Sequence, residues 1–127
     1  MREILVVDDD VDTREMLREV LELDGYRVAL AANGRDALER LRSGLAPALV
    51  LLDVMMPVMS GAELLIELRR DPRFARMPVV LVSAFGQIAE PLAVLAQGYL
   101  PKPIDLDRLT DLLHRHASEG LSGVAAP

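Results

Sequence analysis

Three consecutive acids, Asp8, Asp9 and Asp10, follow the apolar run Ile4 to Val7, and a fourth, Asp53, ends a second apolar run, Leu49 to Leu52. Carboxylates gathered in one place raise one another's pKa unless a cation compensates them. A cluster of oxygen donors without His or Cys suits Mg²⁺, which takes one or two carboxylates, keeps several waters and completes its octahedron with phosphate oxygens. Lys102, set between Pro101 and Pro103, offers a second positive charge, and Ser83 offers a hydroxyl just after the run Val79 to Val82. A metal, an ammonium and a hydroxyl converging on one carboxylate are the groups that neutralise phosphoryl oxygens, because such transfers are catalysed mainly by positioning and electrostatics. In that chemistry Asp53 is the nucleophile.

Each residue also has a plainer reading. The run Asp8 to Asp10 serves equally as a turn that caps a helix, since acids favour helix N-termini. Ser83 alone reads as a turn hydroxyl and Lys102 alone as a solvated charge. Met55, Met56 and Met59 read as packing residues. His114 and His116 fall late in the last helix, where exposed histidines suit its C-terminal dipole.

The elements that must position these groups alternate along the chain. Short β-branched and Leu-rich runs, at residues 4–7, 26–31, 48–52, 79–82 and 99–100, read as strands. The third and fourth are almost wholly apolar, as strands covered on both faces should be. Between them lie helical stripes: Met16, Leu17, Val20 and Leu21; Ala37, Leu38 and Leu41; Leu64, Leu65 and Leu68; and Leu109, Leu112 and Leu113. Gly25 marks the C-terminal end of the first helix, Asn33 and Ser60 are N-caps, and Pro72 closes the third helix. This alternation predicts an α/β fold on a parallel sheet. In such a sheet ligands gather at the carboxyl ends of the strands, where strand order reverses, and the acids, Ser83 and Lys102 all fall there.

Bulk properties narrow the function. A chain of 127 residues, 51% hydrophobic, matches one ordinary folded domain. With 20 acidic and 14 basic side chains interleaved, the net charge is −6 and no basic patch stands out, which speaks against direct nucleic-acid binding. Absent cysteine removes disulfides and thiolate metal sites. No run has the length of a membrane span or the form of a signal peptide, so cytoplasm is the expected compartment.

The set Val6-Val7-Asp8-Asp9-Asp10, Leu51-Leu52-Asp53-Val54-Met55-Met56-Pro57, Ser60-Gly61, Val82-Ser83-Ala84 and Lys102-Pro103 resembles the receiver domain of the response regulators of two-component signal transduction, the chemotaxis-regulator type among them. The resemblance spans almost the whole chain. It implies a doubly wound five-stranded parallel sheet flanked by helices, in the flavodoxin-like order 2-1-3-4-5, with residues 1–117 as the receiver and 118–127 as a flexible tail or linker. It makes Asp53 the phosphoacceptor, Asp8 and Asp9 the acid pair that binds Mg²⁺ with Asp53, and Met55 the residue whose backbone carbonyl completes the metal shell. Ser83 becomes the hydroxyl that moves toward the phosphoryl group, Lys102 the phosphate-contacting lysine, and Tyr99 the aromatic that reorients with it. The Lys102–Pro103 bond is expected to be cis. A sensor histidine kinase or phosphotransfer protein would donate the phosphoryl group, and the added charge would bias a two-state equilibrium. The domain would catalyse only its own phosphorylation and dephosphorylation. Phe85, two residues past Ser83, is placed to shield the acyl phosphate from water.

The chain departs from the family pattern before Tyr99, where about three residues of the usual spacer are missing. A short helix is expected from near Glu90, with Pro91 in its first turn, to Gln97. Leu92, Ala93, Val94, Leu95 and Ala96 leave it almost no polar face, so it either covers itself against the core or binds a downstream target or a second copy of the chain. Three other functions compete. An Asp-nucleophile phosphatase would need an acid two residues after Asp53, where Met55 stands. A nucleotide- or flavin-binding module would need a glycine-rich first loop in place of three acids. A degenerate receiver acting as an unphosphorylated interaction module would not need Asp53, Lys102 and the acid pair together.

Overall fold

A computed structural model describes residues 2–84, 92 and 94–117. Five parallel strands, β1 (Glu3–Val7), β2 (Arg27–Ala31), β3 (Leu49–Asp53), β4 (Val79–Ser83) and β5 (Gly98–Pro101), form one sheet in the order β2-β1-β3-β4-β5. This is the expected order. Its reversal lies between β1 and β3, so the ends of those two strands open side by side.

Among the described residues, the helices with defined bounds are α1 (Val11–Leu23), α2 (Gly34–Arg42), α3 (Gly61–Arg70) and α4 (Leu106–Leu112), the last continuing as a π-helical turn over Leu113–Ala117. Alternation along the strands divides the core into two layers, since successive side chains point to opposite faces. Leu5, Val7, Val50, Leu52, Val79 and Leu81 pack with Ala37, Leu38 and Leu41 of α2 and Leu64, Leu65 and Leu68 of α3. Ile4, Val6, Leu49, Leu51, Val80, Val82 and Leu100 pack on the other face with Leu17 and Leu21 of α1 and Leu109, Leu113 and Ala117. Both faces of β3 and β4 are therefore dry, which is why their sequences show no polar alternation.

Local signals set the helix ends. The Asn33 side chain accepts from the Asp36 N–H at 2.8 Å. Ser60 and Glu63 form a reciprocal capping box. Gly25 takes φ +91° after α1, a conformation that costs a glycine little.

Several expectations are corrected. Met16 lies on the outer side of its stripe, 40% exposed, because Leu17 and Leu21 fill the sheet-facing side of α1. Tyr26 is buried but precedes β2. β5 begins at Gly98, before Tyr99: Gln97 already bonds to Val79 through its N–H (2.9 Å) and accepts the Val79 N–H at its side chain (2.7 Å). That pairing draws residues 95–97 into turn and bend, so the helical residues described here are Leu92 and Val94, and the helix stops short of Gln97. Leu92, Leu95 and Ala96 pack against the α2–α3 layer, while Val94 is exposed. His116 is half-buried where both histidines were expected to be exposed. The expectations for Phe85, the helix start at Glu90 and Pro91, and the tail 118–127 lie outside the described residues.

Candidate functional site

β1 delivers Asp8 directly past its last paired residue, with the Asp8 N–H donating to the Ala31 carbonyl at 3.1 Å. β3 carries Asp53 as its final residue, paired in register with Val82. Adjacent parallel strands in register place these ends together. Asp8, Asp9 and Asp53 each present a carboxylate oxygen within 4.8 Å of the others. Asp8 and Asp53 are buried and Asp9 is exposed, so the cluster opens to solvent on one side.

Lys102 follows β5 and is anchored by its N–H, which donates to the Ser83 carbonyl at 2.8 Å. Its Nζ reaches Asp8 Oδ2 at 3.2 Å and Asp53 Oδ2 at 3.5 Å. The Lys102–Pro103 peptide is cis, as expected. Ser83 is buried at the end of β4. The predicted acids and Lys102 thus meet in one place, from three strand ends.

Charge is balanced incompletely there. Burial, with the Asp8 charge beside it, pushes the Asp53 carboxyl above its ordinary pKa, against the Met55 N–H (3.2 Å from Asp53 Oδ1) and Lys102. For Lys102, burial opposes the ammonium, but Asp8 and Asp53 outweigh it and hold its pKa above the ordinary value. Two buried carboxylates share one ammonium and an exposed third carboxylate adjoins them. A hard divalent cation fits that donor set, all oxygen and two positive charges short.

The loop after Asp53 is held by contacts that the sequence does not announce. A Cβ on Gly61 would stand 2.2 Å from the Asp53 carbonyl oxygen and 2.8 Å from Val54 Cα, so the start of α3 rests directly on the end of β3. A Cβ on Gly34 would meet the Met59 side chain and carbonyl at 2.8 Å, and the Gly34 N–H donates to that carbonyl at 3.2 Å. Between these clamps Val58 adopts φ +69°, the Met59 N–H donating to Pro57 O at 2.8 Å across it. A β-branched residue there is strained. Met56 and Met59 pack against the core as expected, but Met55 is 67% exposed, because it follows the strand end out of the sheet.

Tyr99 is half-buried on the α2–α3 side, and its buried hydroxyl has no hydrogen-bond partner among the described residues. A mostly apolar cleft of about 440 Å³, lined in part by Pro47, Phe74, Met77 and Ala117, opens at the opposite ends of the strands and holds no carboxylate or nucleophile. Among the described residues, no helix is long and apolar enough to cross a membrane.

Comparison with known proteins agrees with this geometry. The response regulator receiver domain family matches residues 4–114. An uncharacterized 14.6 kDa protein of Leptolyngbya boryana is 39% identical over 117 residues, covering 90% of this chain and 88% of that protein. Response regulator MprA of Mycolicibacterium vanbaalenii is 40% identical over 97% of this chain but 55% of its own length, and the chain spans about half of several such curated relatives. Among solved structures, response regulator TrrA of Thermotoga maritima in complex with Mg²⁺-BeF superposes with TM-score 0.83 at 34% identity, over 91% of this chain and 98% of that one.

Proposed function

The chain belongs to the response regulator receiver domain family, and from that premise we propose that Asp53 accepts a phosphoryl group in a Mg²⁺-dependent reaction. The carrying observation is the convergence of Asp8, Asp9 and Asp53 with Lys102 bridging the two buried carboxylates. The donor is the phosphohistidine of a sensor histidine kinase or phosphotransfer protein. An Asp53 carboxylate oxygen forms a bond to phosphorus as the donor P–N bond breaks, and the imidazole leaves. Asp8, Asp9, Asp53 and the Met55 backbone carbonyl would hold Mg²⁺, which supplies positive charge to the phosphoryl oxygens.

Lys102 favours the ionised, nucleophilic form of Asp53 before transfer and pairs with the phosphoryl oxygens after it. The Ser83 hydroxyl, at the neighbouring strand end, turns toward the new charge. Tyr99 follows on β5, and its buried hydroxyl, without a partner among the described residues, supports a second orientation, since an unpaired buried hydroxyl is costly. The output is a changed surface around residues 92–99, read by a downstream target protein or a second copy, in the cytoplasm. Residues 1–117 are the switch and 118–127 the tail or linker. Met55 lacks any proton to transfer, which disfavours an Asp phosphatase.

Intact mass after incubation with a small phosphodonor, with and without Mg²⁺, tests the proposal on the native chain and on Asp53→Asn. The expected result is one Mg²⁺-dependent phosphoryl gain that the variant lacks. No gain from a small donor or a cognate kinase would instead support the unphosphorylated interaction module.

A further inference from the structure

The turn between β1 and α1 is built in an unusual way. Asp10 occupies the N-cap of α1, yet its side chain caps no backbone N–H. Its carboxylate instead accepts the Thr13 hydroxyl at 2.5 Å, while its own N–H donates to Asp8 Oδ1 at 2.9 Å. Arg14 Nη1 then reaches back to donate to the Asp8 carbonyl at 2.7 Å. Arg14 is half-buried. A guanidinium in the opening turns of a helix sits against the positive end of the dipole, so its place there needs a local reason. No ion pair involves Arg14 among the described residues, and the Asp8 carbonyl is its observed side-chain acceptor.

Asp8 is consequently held at four points: main-chain N–H to Ala31, carbonyl to Arg14, Oδ1 to the Asp10 N–H and Oδ2 to Lys102. Of these, the Arg14 bond fixes the peptide plane joining Asp8 to Asp9. That plane sets the direction in which the chain leaves β1, and hence how the exposed Asp9 carboxylate approaches the two buried ones.

We propose that Arg14 is a positioning residue for the cation site, clamping the Asp8–Asp9 peptide so that the acid pair is preset for Mg²⁺. This rests on the Mg²⁺ reading of the site. Charge and geometry make opposite demands, which sharpens the idea. Removing a cation beside clustered carboxylates should by Coulomb attraction alone tighten divalent binding, whereas losing a support that orients metal ligands typically weakens it about 10- to 100-fold.

Mg²⁺ binding by titration calorimetry, on the unphosphorylated chain, separates the two. Arg14→Met should bind Mg²⁺ about tenfold more weakly than the native chain, and Arg14→Lys, which keeps a donor, should recover most of the loss. Thr13→Val, which releases Asp10, should weaken binding in the same direction. Far-UV circular dichroism and urea midpoints show whether each variant is folded. If Arg14→Met fails to fold, Arg14→Gln, too short to reach the Asp8 carbonyl, decides: Mg²⁺ binding as tight as the native chain's overturns the clamp. If Arg14→Met is folded and binds Mg²⁺ as tightly as the native chain, or more tightly, the inference is overturned while the site stands. A native chain that binds no Mg²⁺ overturns the site reading and the inference together.

Discussion

Gly61→Ala is the substitution for which the structure gives the firmest expectation. The added Cβ would lie 2.2 Å from the Asp53 carbonyl oxygen, 2.9 Å from the Asp53 carbonyl carbon and 2.8 Å from Val54 Cα. Ordinary contact begins at 3.4 Å, and every one of these neighbours is backbone that no rotamer change can move aside. The first turn of α3 must therefore retreat from β3 by about 1 Å, which breaks the 3.0 Å bond from the Gly61 N–H to the Val54 carbonyl. Overpacking costs about 1–3 kcal/mol and the lost bond about 1 kcal/mol, offset by at most ~1 kcal/mol of helix propensity. A net loss of roughly 1–4 kcal/mol is expected from urea unfolding. Because the retreating turn packs directly on the phosphoacceptor's own backbone, a misplacement of about 1 Å passed on to Asp53 should slow Mg²⁺-dependent phosphorylation on the order of 10²-fold in an intact-mass time course. Gly44→Ala is the control. Its φ of +115° strains any side chain but nothing lies within 4 Å, so it should cost about 1 kcal/mol and leave phosphorylation unchanged. A Gly61→Ala chain within about 0.5 kcal/mol of native stability and phosphorylated at the native rate would refute the argument.

Three further outcomes are expected. Burial and Asp8 hold the Asp53 pKa above its unfolded value, so folding takes up protons between the two values and the ionised group subtracts stability as pH rises through that window; in metal-free buffer Asp53→Asn should be more stable than native at pH 7, with the advantage shrinking as pH falls through that window and gone below the ordinary carboxylate pKa, and equal pH profiles would contradict it. Arg69 donates to the carbonyls of Phe74, Met77 and Leu95 and to the Gln97 side chain, so Arg69→Met should cost about 2–4 kcal/mol and speed amide exchange at Val79 and Gln97; unchanged exchange would show that these bonds do not hold the segment before β5. Val58 is 70% exposed at φ +69°, so Val58→Asn gives up little burial and should gain about 0.5–1 kcal/mol by thermal denaturation, a loss counting against strain there.

The elements were legible in the sequence because their signals are local. Wholly apolar runs gave β3 and β4, Leu spacing gave the inward sides of α2 and α3, and Asn33 and Ser60 marked helix starts that their own hydrogen bonds confirm. Strand ends carrying Asp8, Asp53, Ser83 and Lys102 named the site because ligands gather at those ends in any parallel sheet. Met16 and Met55 lie exposed for a related reason: a residue can fit an apolar pattern and still fall outside the arc that another element covers.

Contacts between distant segments decided the rest. Ser60-Gly61 belongs to the family motif, but its sequence does not say why a glycine stands there: Gly61 needs the space next to the Asp53 backbone, whereas Gly44 needs a backbone angle. Arg14 and Arg69 read as two of many surface arginines until folding sets the carbonyls of Asp8, and of Phe74, Met77 and Leu95, in front of them. Periodicity and residue type specify which way a side chain faces relative to its own strand or helix. What stands opposite it is fixed only when the sheet order β2-β1-β3-β4-β5 closes, and close approach, buried hydrogen bonding and a shifted carboxylate pKa all depend on what stands opposite.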